Sequence, residues 1–235
     1  MAVTALHFKG EAGSRSGNFR RSPFVSKFAQ RSAAMPLKDQ IKNYAKKLVE
    51  DRPDATALRK MVRGKKPISL RFEDDGIVPN NPQHPVLVYR GAVTLGGAFD
   101  PATIIDTLFE TNGWGRSWRD GVYDFVHYHS QIHEVMGVAR GNATIECGGI
   151  KGRMVNVKAG DVVVLPAGTG HRLVEASGNF LVVGAYPEEG IYDECTDMRE
   201  RPEARKRIAK VRQPKKDPVY GSDGPLVRQW RRKRT

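Results

Sequence analysis

The sequence predicts a mainly β domain, an antiparallel sandwich or barrel of short strands flanked by short helices. Three observations carry that reading. Between residues 122 and 187, short runs of β-branched and aromatic residues are broken at even spacing by Gly141, Gly148-Gly149, Gly160-Asp161, Gly168 and Gly170, the pattern of strands joined by tight turns. Ahead of this region, Ile68, Leu70 and Phe72 alternate with polar neighbours, as a half-buried strand does. Helical periodicity is confined to short segments outside it, and no internal repeat stands out.

Taken in chain order, residues 1–34 are rich in Ser, Arg, Lys, Gly and Ala, and Glu11 is their only acid. Three readings of that composition stand open: a disordered basic extension, an Arg- and Ser-rich transit peptide, or a start codon placed upstream of a true start at Met35. Residues 35–66 form a helical N-terminal segment. Leu37, Ile41, Tyr44 and Leu48 fall on one helical face, and Pro53 divides the run into two short helices. The barrel is expected over 67–195. Its first strand precedes the turn Asp74-Asp75-Gly76, and Pro85 to Tyr89 is a second strand. Asp100 followed by Pro101 opens a helix, Ile104, Ile105, Leu108 and Phe109 are its apolar face, and Gly113 ends it. Residues 196–235 are a basic C-terminal extension with a short helix near 199–211 and a basic tail from Arg228 that Trp230 interrupts.

The net charge of +13 suggests a nucleic-acid partner until it is mapped. Residues 1–66 carry 16 Lys/Arg against 5 Asp/Glu and residues 196–235 carry 14 against 5, but the intervening 67–195 carry 9 against 16. The basicity thus belongs to the flanks, and the globular region is acidic. With no aromatic-basic interleaving, the flanks read as solvated extensions, and nucleic acid is an unlikely partner. No stretch approaches the roughly 18–20 apolar residues of a membrane span, and the first thirty residues lack the apolar run of a secretory signal. Cys147 and Cys195 sit in no metal or redox spacing and are read as reduced thiols. The expected location is cytoplasmic, or mitochondrial if 1–34 are a transit peptide.

The chemistry concentrates in Tyr123-Asp-Phe-Val-His127-Tyr-His129. On a strand, alternate side chains share a face, so Tyr123, Phe125, His127 and His129 point together and the two imidazoles make a chelating pair. Glu134 follows on the next strand, and His171 follows the turn-rich Pro166-Ala-Gly-Thr-Gly170. Three neutral imidazoles and a carboxylate suit a divalent transition metal: Fe, Mn, Ni, Cu or Zn. Adjacent strand residues face opposite ways, so with Glu134 inward His133 becomes an outer or interface residue. Glu175, two pleat repeats beyond His171, is placed on the same strand face. It is either a solvated strand-end carboxylate or a general base near the site. Tyr123 is barrel packing or a hydrogen-bonding group for a ligand. Trp114 and Trp118 are read as covering the barrel.

The spacing Gly121-x5-His127-x-His129-x4-Glu134-x6-Gly141 resembles the first cupin motif at every fixed position, and Gly160-x5-Pro166-x-Gly168-x2-His171 resembles the second. The closing position of the second motif is usually Asn and is Glu175 here. Asp75-Gly-Ile-Val-Pro-Asn-Asn81, Trp118 to Phe125, His133-Glu-Val, Pro166 to His171 and Gly184-Ala-Tyr-Pro187 are similar to the bacterial YjlB-type cupins over roughly 67–230. The resemblance implies a double-stranded β-helix, the cupin or jelly-roll barrel, with a metal on His127, His129, Glu134 and His171. It further implies a metal-dependent enzyme of dioxygenase or isomerase type acting on a small polar molecule, with a non-catalytic binding or sensing protein as the alternative. A strand-rich barrel leaves edges that pairing in a homodimer would cover.

Overall fold

The structure, a computed structural model, describes residues 36–39, 41–42, 52–96 and 99–231. The readings made for residues 1–34, and the helical face at Tyr44 and Leu48, lie outside the described residues. Residues 37–39 and 41–42 are helical, with Leu37 and Ile41 exposed.

Beyond Pro53 a second short helix forms, α1 (Ala55–Met61), whose first two free N–H groups, at Thr56 and Ala57, are capped by the Asp54 carboxylate. Among the described residues, nine strands and three further α-helices follow, besides two short 3-10 turns. They are β1 (Ile68–Leu70), β2 (Val86–Tyr89), α2 (Pro101–Thr111), β3 (Trp114–Asp120), β4 (Glu134–Arg140), β5 (Asn142–Cys147), β6 (Arg153–Lys158), β7 (Val162–Leu165), β8 (His171–Ala176), β9 (Leu181–Pro187), α3 (Arg201–Ile208) and α4 (Pro225–Gln229). Helix α2 begins as its sequence predicts: Asp100 accepts from the Thr103 N–H at 3.0 Å, Pro101 occupies the first turn, and Gly113 leaves the helix at φ 78°.

The strands form two antiparallel sheets, a six-stranded one in the order β1-β2-β7-β4-β9-β3 and a three-stranded one in the order β6-β5-β8. The protein is a mainly β, double-stranded β-helix fold whose two sheets remain open rather than closing on each other. Strands β2, β4, β7 and β9 are covered on both faces, which explains their near-continuous Val and Leu content. One face supplies Val86, Val88, Met136, Val138, Val163 and Val182 to a core shared with Ile145, Cys147 and Val157 of the smaller sheet. The other face packs Leu87, Tyr89, Val135, Val164 and Val183 against Ile104, Ile105 and Phe109 of α2. Gly137 makes that close approach possible, because a Cβ there would lie 2.5 Å from the Ile105 side chain.

The C-terminal segment belongs to this second core. Leu226 and Trp230 are fully buried in it, and Trp230 Nε1 donates to the Pro85 carbonyl at 3.0 Å. Trp230, which interrupts the basic tail expected from Arg228, is thus part of this core. Its indole removes enough apolar surface from water to anchor the chain against β2.

Candidate metal centre

Residues 121–133 cross the open end of the two sheets. Residues 123–129 were expected to form a strand, but of them only His127 and Tyr128 form β-bridges. The His127 and His171 backbones exchange hydrogen bonds of 3.2 and 2.9 Å, and Tyr128 pairs with Cys195. The shared face expected for Tyr123, Phe125, His127 and His129 is thus only partly regular. The two imidazoles are buried, while Tyr123 and Phe125 are half-exposed at the rim with their rings stacked 4.8 Å apart.

His127, His129 and His171 bring one ring nitrogen each to within 4.8 Å of one another. Glu134, the first residue of β4, places Oε2 3.4 Å from His129 Nε2 and 3.3 Å from His171 Nε2. Each imidazole is oriented from behind. Nδ1 of His127 donates to the Phe125 carbonyl at 3.2 Å, Nδ1 of His171 donates to the Thr169 carbonyl at 3.1 Å, and Nδ1 of His129 donates to the Asp193 carbonyl. A carbonyl can only accept, so in each neutral ring the proton sits on Nδ1 and Nε2 presents a lone pair. Glu134 Oε2 is buried and faces the two imidazole nitrogens with no close, well-aligned hydrogen bond. Three lone pairs and a carboxylate oxygen, converging in a buried site, are the donor set a divalent transition metal fits.

The ionisation pattern follows from burial and proximity. Burial, aided by the neighbouring His171, lowers His127 to about 3. At His129 burial also lowers the value, but the Glu134 carboxylate outweighs it and pushes the ring up to about 8. Burial alone would raise Glu134, yet His129 and His171 hold it well below the usual carboxylate range. Without a metal, Glu134 is therefore ionised and His129 is its counter-charge.

The loops that carry these residues are held by sequence-distant partners. Asn81 Nδ2 donates to the Ala167 carbonyl at 2.8 Å, and Asn80 Nδ2 donates to the Glu73 and Gly148 carbonyls at 2.7 and 3.0 Å. These amides brace the Pro166–Gly170 turn that delivers His171. On the opposite side, Asp193 Oδ1 accepts from the Ser130 and Gln131 N–H groups at 2.9 and 3.0 Å, its Oδ2 takes the Ser130 hydroxyl, and Arg207 of α3 donates to that hydroxyl at 2.6 Å. The segment 188–195 is thereby strapped over His129, and Tyr192 sits with its ring 5.1 Å from that imidazole.

A cavity of about 320 Å³ opens above the histidines. Its walls include Trp118, Tyr123, Met136, Tyr186 and Tyr192. Trp118 Nε1 donates to the Tyr186 hydroxyl at 3.0 Å, and burial followed by the Glu134 charge raises that phenol far above its ordinary range. Trp118 therefore lines the cavity, while Trp114 is buried in the core. A larger groove of about 940 Å³ runs between residues 71–82 and α3. There Asp74 engages both Arg201 and Arg205, and no histidine joins them.

Two expectations are corrected. Glu175 is exposed, and it does not share the face of His171. Cys147 pairs with His171 and Ile145 with Leu173, but Thr144 pairs with Glu175, so Val174 is an extra residue in the ladder. That bulge reverses the alternation and turns Glu175 outward. His133 does face away from Glu134, but it is 1% exposed rather than outer. Its Nδ1 accepts from the Ala167 N–H at 2.9 Å, its Nε2 donates to the Arg212 carbonyl at 3.2 Å, and its ring lies 4.8 Å from Trp230. Asp193, Tyr186 and Tyr192 were not singled out from sequence. Tyr186 does fall within the Gly184-Ala-Tyr-Pro187 segment quoted for the resemblance, whereas nothing local marks Asp193.

The fold and the histidine set define a protein of the cupin class. No protein-family model matches the chain. It is 40% identical over 160 residues to the uncharacterised protein YjlB of Bacillus subtilis, a match spanning 68% of this chain and 93% of that one. The chain belongs to the YjlB family. Among solved structures it is similar to a double-stranded β-helix protein from Klebsiella pneumoniae (13% identity, 74% of this chain and 99% of that one, TM-score 0.29). It is also similar to Lactobacillus farciminis oxalate decarboxylase in complex with formate (18% identity, 48% and 25%, TM-score 0.28). A third is the acireductone dioxygenase of Bacillus anthracis with cadmium in its active centre (18% identity, 37% and 62%, TM-score 0.28). The chain thus spans about a quarter of that decarboxylase and under two thirds of that dioxygenase, and the activities of those proteins are not carried over from likenesses of this size.

Proposed function

We propose that the protein is a metal-dependent enzyme, of dioxygenase or isomerase type, whose barrel at 67–195 holds one divalent transition metal on His127, His129, Glu134 and His171 and acts on a small polar molecule. The observation that carries this reading is the convergence of three Nδ1-anchored imidazoles on Oε2 of Glu134 beneath an open cavity. A metal held there supplies Lewis acidity next to the cavity. The chain's own contribution is to keep the imidazoles in one tautomer, to keep Glu134 ionised, and to shield the site with aromatic walls. The sheet edges at β1, β3, β6 and β8 support a homodimer as part of the same proposal, checked by light scattering. Both cysteines are free and buried, which supports a reducing, cytoplasmic setting. Among the described residues no helix is long and apolar enough to cross a membrane.

The test is elemental analysis of untagged protein, wild type and His129→Ala. The expected result is near one equivalent of a single metal, lost in the variant. Absence of metal even after anaerobic reconstitution would overturn the reading. The second reading, a non-catalytic binding or sensing protein with the same pocket, is favoured by the outward position of Glu175, the sequence's candidate general base. Saturable binding with no turnover in the metal-loaded protein would select it.

A further inference from the structure

The cavity walls carry a charge pattern that bears on the ligand. Among the described residues, no Lys or Arg lines the cavity, and its carboxylates are Glu134 in its base and Asp120 at its mouth. Arg119 and Arg172, the cations adjacent in sequence to lining residues, are paired with Asp106 and Glu146, and Arg116 holds its guanidinium 6.0 Å from the Tyr186 ring while bonding the Pro187 carbonyl. A multiply charged anion entering this cavity would find no Lys or Arg to replace its lost hydration, and the positive charge of His129, or of a metal in its place, is already offset by Glu134 and Asp120.

The rim is aromatic, and its exposure has no packing explanation. Tyr123 and Phe125 are 52% and 43% exposed, and their rings lie nearly parallel at 4.8 Å. Tyr192 is 47% exposed, with its ring 5.4 Å from Tyr186 across the 188–195 strap. Buried aromatic rings stabilise a fold, but two half-exposed rings that line one cavity, Tyr123 (backed by Phe125) and Tyr192, stabilise it little and offer flat apolar faces to whatever enters. Trp118 lies flat over Gly184, where a Cβ would come within 2.0 Å of the indole, so this glycine sets the depth of the wall.

We propose that the ligand of this cavity is a small planar molecule, aromatic or conjugated, that enters uncharged or cationic with one or two oxygen donors directed at the histidines, and that small dianions are excluded. This rests on the metal-site reading for the position of the oxygen donors but not for the ring contacts, which the chain makes by itself.

The experiment is titration calorimetry with two probes, catechol (uncharged at neutral pH) and oxalate (a dianion), on zinc-loaded and metal-free protein. Catechol is expected to bind both forms, more tightly with zinc, and oxalate to bind at least about tenfold more weakly than catechol to each form. Tyr123→Ala and Tyr192→Ala are expected to weaken catechol binding about threefold to tenfold in both forms, at unchanged zinc content, and Tyr192→Phe is expected to retain it. Both tyrosines are half-exposed, so these variants keep the fold, which circular dichroism verifies. Oxalate binding as tightly as catechol, catechol ignoring the Tyr→Ala changes, or no catechol binding to either form would overturn the proposal. Failure to take up zinc, with catechol binding to the metal-free protein intact and sensitive to Tyr192, would overturn the metal reading and leave the ring contacts supported.

Discussion

Two histidine clusters lie back to back across β4, one residue apart in sequence. On one face Glu134 joins His127, His129 and His171, and on the other His133 packs with His84 and Trp230. Both clusters are buried, and both mix imidazole with aromatic rings. They differ in what their polar atoms find. His133 gives one nitrogen to a backbone N–H and the other to a carbonyl, so it is a satisfied neutral ring, and burial with the nearby His84 lowers it to about 3. The Glu134 cluster has its Nδ1 atoms satisfied and leaves its Nε2 atoms and one carboxylate oxygen converging on each other. Histidine content or burial does not separate a structural cluster from a candidate metal centre. The direction of the unsatisfied atoms does.

The sharpest way to break this contrast is His133→Ala. It leaves the buried Ala167 N–H without a partner, removes the hydrogen bond to the Arg212 carbonyl and opens a cavity beside Trp230. The expected cost is about 3 kcal/mol in urea unfolding, at unchanged metal content. Loss of metal binding with stability intact would reverse the roles assigned to the two clusters.

Next in size is a pH effect in the metal-free protein. His129 stands at about 8 in the folded state against an ordinary value of 6.5. A raised value means the proton is bound more tightly in the folded state, so the stability it adds is complete below pH 6.5 and is lost as pH rises through 8. The loss is about 2 kcal/mol between pH 6 and 9, read as the change in the difference between the urea midpoints of wild type and His129→Gln. His133 and His127, both lowered to about 3, instead add stability as pH rises through 6.5, a gain that wild type and His129→Gln share and that the difference between them cancels.

A smaller effect is expected at Asp193, which holds residues 130–131 with its side chain and His129 with its carbonyl. Asp193→Ala should weaken metal affinity about tenfold in chelator competition and alter the spectrum of a cobalt-substituted site, while Asp193→Asn should restore most of both. An unchanged spectrum would show that the strap does not position His129. At the low end, Glu175→Gln should leave metal content, ligand affinity and stability the same within about 0.5 kcal/mol, because its side chain is exposed on the outward face. A large loss there would return it to the site.

The fold was legible where local rules act alone. Asp100-Pro101 starts α2, Gly113 ends it, and the Val-rich runs of β4, β7 and β9 are strands. It was not legible where one inserted residue changes parity. Glu175 was assigned to the His171 face by counting twos, and the bulge at Val174 makes the count wrong, because a bulge is decided by the partner strand β5 rather than by the bulged segment. The C-terminal segment shows a similar dependence on distant partners. Its composition is basic, but Leu226 and Trp230 bury into a surface that only the assembled six-stranded sheet provides.

The sequence by itself determined which donors are available and at what spacing: His127, His129 and Glu134 within eight residues, and His171 after a glycine-rich turn. Side-chain identity and short-range geometry are local properties. The tertiary structure alone decided that these donors converge, which nitrogen His129 turns inward, and which walls stand above them. Those depend on carbonyls and rings brought in from Asp193, Tyr186 and Tyr192, more than fifty residues away, whose positions exist only once the two sheets have packed.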